Sequence, residues 1–337
     1  MADFKDAKND EPTKQAEPKQ DAELGEGEPV RVNHTARNII IVLVVVVLVA
    51  AGVIFALHRN SSQSGGAAKG SEANPVKIGV VGATDPQWVE FKKEAQDAGI
   101  YVDIVDFQDY TSENPALAAG DLDLNEFQHL LYLANYNVSN NQDLQPIGGT
   151  AIYPLGLYSN TVKSIDDITE GSTIAIPNDE TNQARAIGVL EAAGLVTLKN
   201  DWNAFTTPDD IDTSKSKVKV TALKAEQVAN SLSDPTIAAG VINNDYVHDA
   251  GLDPSDAIYQ DDASTEQAHP YINVFVARKA DVNNETYLKL VDIFHSDTVT
   301  EKLQENSNGT AVSAKDFTAE QLQGYLADIE KDARANA

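Results

Sequence analysis

The sequence predicts an α/β protein of two lobes, and three observations carry that prediction. From Lys77 onward, short apolar runs alternate with amphipathic stretches over about 260 residues, the pattern of strands followed by helices. The last third turns mostly helical, as expected of a chain that packs back onto an earlier sheet. No fixed-period repeat is visible, which argues against a solenoid.

Taken in order, KIGVV (77–81) reads as a strand, followed by Gly82 and a turn. PQWVEFKKEAQDAGI (86–100) carries Trp88, Phe91, Ala95 and Ala98 at helical spacing, with Gly99 as its stop. VDIVDF (102–107) and LDL (122–124) read as strands, and EFQHLLYLANYN (126–137) as a helix. Four more strands follow: IAI (174–176), VKVTAL (218–223), IAAGVI (237–242) and YINVFVAR (271–278). Helices are expected over 284–296, 298–306 and 318–333, the last opened by a capping box of Thr318 and Gln321. The chain is expected to return to its first lobe near Tyr271.

A different kind of sequence precedes this part. Residues 39–57, IIIVLVVVVLVAAGVIFAL, contain neither a charged nor a polar side chain. As a helix they reach about 28 Å, close to the hydrocarbon thickness of a bilayer. The run is too long for a strand, and the leader of 38 residues ahead of it is too long for a cleaved signal. An uncleaved transmembrane anchor is the expectation. Residues 1–38 combine many charges with few large apolar groups, so a disordered tail is expected. Residues 58–76 read as a flexible Ser/Gly/Ala linker before the globular part, 77–337. Basic residues flank the span equally, so the positive-inside rule leaves its orientation open.

Composition narrows the chemistry. The chain has 337 residues, a net charge of −27 and no cysteine. Disulfides, thiolate metal sites and cysteine nucleophiles are excluded, as is a lipid-modified cysteine. Acidity of this size repels phosphate backbones, so nucleic acid is not an expected partner. None of the six histidines pairs at metal-ligand spacing, and nucleotide and hydrolase motifs are absent from the sequence. No cofactor, metal or catalytic group is expected.

Two segments offer binding chemistry. IAIPNDETNQARAIGVLEAAGL (174–195) reads as strand, turn and a helix from about Thr181 to Gly194. Arg185 falls near the first turn, where the macrodipole favours acids rather than cations. Arginine is also rare, with only Arg185, Arg278 and Arg334 beyond the linker. A rare residue that breaks a local rule points to function, here a guanidinium and free amides converging on a carboxylate. The alternative is a surface arginine paired with Asp179 or Glu180. In NEFQHLLYL (125–133), Phe127, His129 and Tyr132 share a helical spacing. That fits either a core with a satisfied histidine or the wall of a pocket for an apolar or thioether side chain.

Together these segments resemble the NlpA lipoprotein family, the methionine-binding proteins of ABC importers. The resemblance is carried by FQDYTSENPAL (107–117), GDLDLNEFQHLLYL (120–133), YPLGLYS (153–159), IAIPNDETNQARA (174–186), AGVINNDYV (239–247) and PYINVFVARKAD (270–281). It implies a type II periplasmic-binding-protein fold with crossovers near 153–159 and 269–276. Lobe 1 then takes about 77–155 and 272–337, and lobe 2 about 156–271. By motif, it places Tyr110, Phe127, His129 and Tyr132 from lobe 1, Arg185 and Asn243 from lobe 2, and Asn273 from the returning crossover around the ligand. Arg185 is expected to clamp the carboxylate, the asparagines to hold the zwitterion, and the rings with His129 to enclose the side chain.

The sequence departs from the family at three points. The acylated cysteine is missing, Leu130 and Leu131 follow FQH where Lys/Gln-Pro is common, and Glu126 stands where an aromatic is usual. The implied function is capture of L-methionine outside the cytoplasmic membrane and delivery to a permease driven by an ATPase. A different apolar amino acid, a Met-containing dipeptide, or the sensory domain of a receptor complex are the alternatives. An Arg185 left unpaired in the empty closed form is expected to disfavour closure without ligand.

Overall fold

Two five-stranded sheets, each flanked by helices, organise residues 67–336, which are those the computed structural model describes. The expected tail (1–38), the apolar span (39–57) and the first part of the linker lie outside the described residues. Among the described residues no helix is long and apolar enough to cross a membrane. The end of the expected linker is built rather than loose. Gly70 N–H donates to Asn74 O and Tyr101 N–H to Gly70 O, both at 2.8 Å, and Lys69 Nζ reaches Asp123 at 2.9 Å. The chain is therefore tied down several residues before Lys77.

The first part runs β1 (Val76–Val81), α1 (Pro86–Asp97), β2 (Val102–Phe107), α2 (Glu113–Ala119), β3 (Leu124–Asn125), α3 (Leu130–Asn140), β4 (Gln145–Gly149) and β5 (Ala151–Ile152). The second runs β6 (Gly156–Tyr158), β7 (Thr173–Pro177), α4 (Glu180–Ala192), β8 (Lys219–Leu223), α5 (Ala225–Ser231), β9 (Ile237–Ile242) and β10 (Tyr259–Gln260). The chain then returns through β11 (Val274–Ala277), α6 (Glu285–Phe294), α7 (Asp297–Asn306), β12 (Val312–Ser313) and α8 (Ala319–Asn336).

The first sheet has the order β2-β1-β3-β11-β4 and the second β10-β6-β9-β7-β8, while β5 pairs with β12. Parallel ladders join β1 to β2 and β3, and β7 to β8 and β9. The sheets are nevertheless mixed. The strands by which the chain enters each sheet from the other, β6 and β11, pair antiparallel with their neighbours. Alternation of strands and helices reveals the parallel ladders and hides these short crossing strands.

Burial explains the local choices. Val76, Ile78 and Val80 of β1 are wholly buried, and α1 turns Trp88, Phe91 and Ala95 inward. Trp88, Phe91, Phe275 and Phe294 form one aromatic core, with Phe275 and Phe294 centroids 5.2 Å apart in an edge-on pair. Burying each such ring contributes about 2–3 kcal/mol. Gly99, at φ +79°, adopts the left-handed conformation that lets the chain reverse after α1. At the start of α8 the expected capping box is present: Gln321 N–H donates to Thr318 Oγ1 and Thr318 N–H to Gln321 Oε1.

One element differs where it matters most. The helix expected over 126–137 begins only at Leu130, and Glu126–His129 are not helical. Tertiary bonds override helical propensity here: Leu130 N–H donates to Ile272 O, Val274 N–H to Gln128 O, and His129 bridges Asn273. The expected strand over 271–278 is likewise shorter, because Glu266–Tyr271 form a tight helical turn.

Between the sheets lies a core shared by both. Tyr110 and Phe127 of the first part pack with Tyr158, Ala175, Ile242 and Tyr246 of the second. Hydrogen bonds also cross: Tyr110 Oη–H donates to Asp245 Oδ2 and Asn308 Nδ2 to Ser255 Oγ, both at 2.7 Å.

Candidate functional site

The site is assembled by strand ends, helix starts and the crossing segments. Tyr110 follows β2, Phe127 and His129 follow β3, Tyr132 lies in the first turn of α3, Arg185 in α4, Asn243 just past β9 and Asn273 just before β11. All seven line one narrow cavity, of about 30 Å³. Gln128, Tyr153, Asn182 and Asp245 line it too.

His129 is not on a helix face with Tyr132, as the sequence predicts. It is the N-cap of α3, where its Nδ1 accepts the Tyr132 N–H at 3.1 Å. That leaves the proton on Nε2, which donates to Asn182 Oδ1 at 3.2 Å. Burial, with Arg185 nearby, pushes the imidazole down to about 3, so it is neutral.

Arg185 is buried, with 6% of its surface exposed. Neither expected partner holds it. Its Nε and Nη2 donate to the two carboxylate oxygens of Asp261 at 2.7 and 3.2 Å, and Nη2 also donates to Tyr153 O at 2.9 Å. The guanidinium lies 4.0 Å from the centre of the Tyr271 ring. Among the described residues Nη1 makes no hydrogen bond, which leaves one fork of the arginine for a ligand. Asp179, the expected alternative partner, instead caps α4 by accepting the Asn182 N–H at 2.9 Å.

This geometry corrects the expectation about closure. With the two parts in contact, Arg185 is paired by Asp261 and is not an unpaired buried charge. Asp261 also accepts the Leu155 N–H at 2.8 Å, which ties the arginine to the crossing segment.

The asparagines form a second layer. Asn182 Oδ1 accepts from both His129 and Asn243, and Asn182 Nδ2 donates to Asp179 at 3.0 Å. Asn243 is thereby fixed, while its Oδ1 is buried without a partner. Asn273 is held by its backbone, through Ala151 O and the Thr150 N–H, and its side chain makes no hydrogen bond within the described residues. An amide oxygen, an amide side chain and one guanidinium nitrogen thus face the same space.

The aromatic wall is continuous. Tyr110 and Phe127 lie 5.8 Å apart, Phe127 and Tyr132 5.7 Å, and Tyr132 Oη–H donates to Tyr110 O at 2.9 Å. Contacts run from Arg185 and Tyr271 through His129 to Tyr132, Tyr110 and Asp245. Sequence reasoning missed Asn182, Asp245 and Asp261. Asn182 stands one turn before Arg185 in the same motif and was within reach of it. Asp245 and Asp261 are two carboxylates in a chain with 52 acids, and nothing local marks them.

Among the described residues no group of three or more His, Asp or Glu side chains is placed to hold a metal. The arrangement can hold a small zwitterion with an apolar or polarisable side chain.

Comparison with known proteins agrees with this chemistry. A family model described as NlpA lipoprotein matches residues 76–315. The D-methionine-binding lipoprotein MetQ of Escherichia coli is 36% identical over 244 residues, 72% of this chain and 89% of that protein. Protein PG110 from Staphylococcus aureus is similar in structure, with a TM-score of 0.71 and 34% identity, over 75% of this chain and 99% of that one. A nutrient binding protein from Burkholderia cenocepacia, solved bound to methionine, gives a TM-score of 0.64 at 32% identity, over 71% and 99%. On the match to three quarters of its length or nearly so, this chain belongs to the NlpA lipoprotein family.

Proposed function

We propose that the protein is a solute-binding protein of an ABC importer that captures L-methionine between two lobes of a type II periplasmic-binding-protein fold. The observation that carries this reading is the convergence of Arg185, Asn243 and Asn273 with Tyr110, Phe127 and Tyr132 on one cavity. The ligand carboxylate meets Nη1 of Arg185, and its ammonium meets the unpartnered Oδ1 of Asn243. The side chain lies against the rings, where a thioether gains sulfur–aromatic contacts. His129, being neutral, is a wall and not a counter-ion. Water exclusion on closure strengthens each polar contact. The reading is one of binding, with no chemical step.

The lobes move about the two crossing segments, and the closed form docks on a permease driven by a cytoplasmic ATPase. Residues 39–57 anchor the protein as a single membrane span, with the binding domain on the extracytoplasmic side and residues 1–38 inside. Calorimetric titration of the full chain in detergent with the common amino acids and both methionine enantiomers tests the ligand. Saturable binding of methionine ahead of the others is expected, and no binding of any amino acid overturns the reading. Protease added to intact cells tests the topology: the binding domain is expected to be cleaved, and its full protection contradicts the assigned side.

A further inference from the structure

Asp245 lines the same cavity as Arg185, but its surroundings are of the opposite kind. Its hydrogen bond comes from a phenol, the Tyr110 Oη–H at 2.7 Å. Tyr110 in turn packs on Phe127 at 5.8 Å, Tyr132 at 6.2 Å and Tyr246 at 5.1 Å. The titratable groups that act on Asp245, or are acted on by it, are Asp85 ahead of α1, Tyr110, Glu113 of α2, Glu126 after β3, Tyr153 of the crossing segment and the adjoining Tyr246. Every one is an acid or a phenol. Two bases stand by this set: His248, which acts on Asp85, and Arg185, which lines the same cavity and donates to the Tyr153 carbonyl but is paired by Asp261. Glu113 is wholly buried with both carboxylate oxygens unpartnered, and the hydroxyl of Tyr246 is buried without a partner as well.

A carboxylate among aromatic faces, with no cation bonded to it, is the arrangement that holds an alkylated cation. An amino acid whose carboxylate is on Arg185 sends its side chain along the Tyr132 and Tyr110 rings toward this end. We propose that Asp245 and its aromatic box select amino acids with a cationic, alkylated side chain, of which a sulfonium is the form closest in shape to methionine. The inference rests on the amino-acid reading above and names its side-chain class. A neutral thioether fits the same box when Asp245 carries a proton, because an ionised carboxylate against an apolar group loses hydration without recompense.

The two protonation states give the two ligand classes opposite pH dependence. Burial pushes Asp245 up to about 7, against the pull of the Tyr110 hydrogen bond and with Asp85 adding to the rise. A sulfonium pairs with the ionised form and gains as pH rises through this range, whereas a thioether loses. The ratio of the two affinities is expected to rise by up to about a hundredfold between pH 6 and pH 8, as the ionised fraction rises and the protonated fraction falls by about tenfold each.

The test is calorimetric titration of the full chain with L-methionine and with S-methyl-L-methionine at pH 6, 7 and 8, in the wild type and in Asp245→Asn. In the wild type the sulfonium-to-methionine ratio is expected to climb by up to about a hundredfold across the series. In Asp245→Asn the ratio is expected to be flat and to favour methionine. A flat ratio in the wild type, or an unchanged slope in Asp245→Asn, overturns the selectivity; if the variant does not fold, the wild-type series decides alone. Methionine binding without sulfonium binding at any pH removes this selectivity and leaves the amino-acid reading standing. Binding of neither ligand removes both.

Discussion

At one end of the cavity Arg185 is met by both oxygens of Asp261, by a backbone carbonyl and by the face of Tyr271. At the other, Asp245 accepts from the Tyr110 phenol, and Glu113 and Glu126 are buried within electrostatic reach of it, with no basic side chain bonded to any of the three. The first end is satisfied by protein groups, with one guanidinium nitrogen to spare. The second is held in place by burial, which raises its acids above the ordinary carboxylate range. Affinity for the amino-acid head group is therefore built in at the first end, while the second responds to pH and to what the ligand carries.

The largest effect expected of this contrast is at the paired end. Replacing Arg185 by Ala removes one half of a buried charge contact and should weaken methionine binding by about 2–5 kcal/mol, read by calorimetry. An unchanged affinity would mean that the ligand does not use this end.

His129 stands between the two ends, and its depressed value gives a folding signature. An imidazole at about 3 in the folded state and near 6.5 when unfolded favours folding fully above about pH 6.5 and loses that contribution as pH falls toward 3. Urea unfolding of His129→Asn, which keeps an N-cap acceptor, should show about 3 kcal/mol less loss than the wild type between pH 6.5 and pH 4. Parallel curves for the two proteins would contradict the neutral assignment.

Glu126 carries the opposite sign. Burial pushes it up to about 8, opposed by the Thr150 hydroxyl that donates to it at 2.6 Å. Its contribution is complete below about pH 4.5 and is lost as pH rises toward 8. Glu126→Gln, which can still accept from Thr150, should unfold with a urea stability that falls about 2 kcal/mol less than wild type from pH 5 to pH 7. The smallest effect is expected far from either end: Thr318→Ala removes one side of the α8 capping box and should cost about 1 kcal/mol, seen as a lowered Tm with unchanged ligand affinity.

Much of this frame was legible from local rules. Arg185 announced itself by standing near a helix start, where acids are preferred, and the Phe127–Tyr132 segment by its aromatic spacing. What escaped depended on distant pairing. Asp261 lies 76 residues from Arg185 and reaches it only because the second sheet folds between them. The stretch from Glu126 to His129 has a helical spacing, yet bonds to Ile272 and Asn273 hold it open, and these partners lie more than 140 residues away. The short strands between Gln145 and Tyr158 are rich in Gly and Pro, so neither periodicity nor propensity marks them. Burial of single acids, which sets the character of the Asp245 end, has no signature in a chain this acidic.

A crystal structure of the protein with methionine bound tests the central claim most directly. The carboxylate is expected within hydrogen-bond distance of Arg185 Nη1 while Asp261 still holds Nε, and the side chain is expected against Tyr110, Phe127 and Tyr132. A ligand seated outside this cavity, or turned so that its carboxylate lies away from Arg185, would contradict the account.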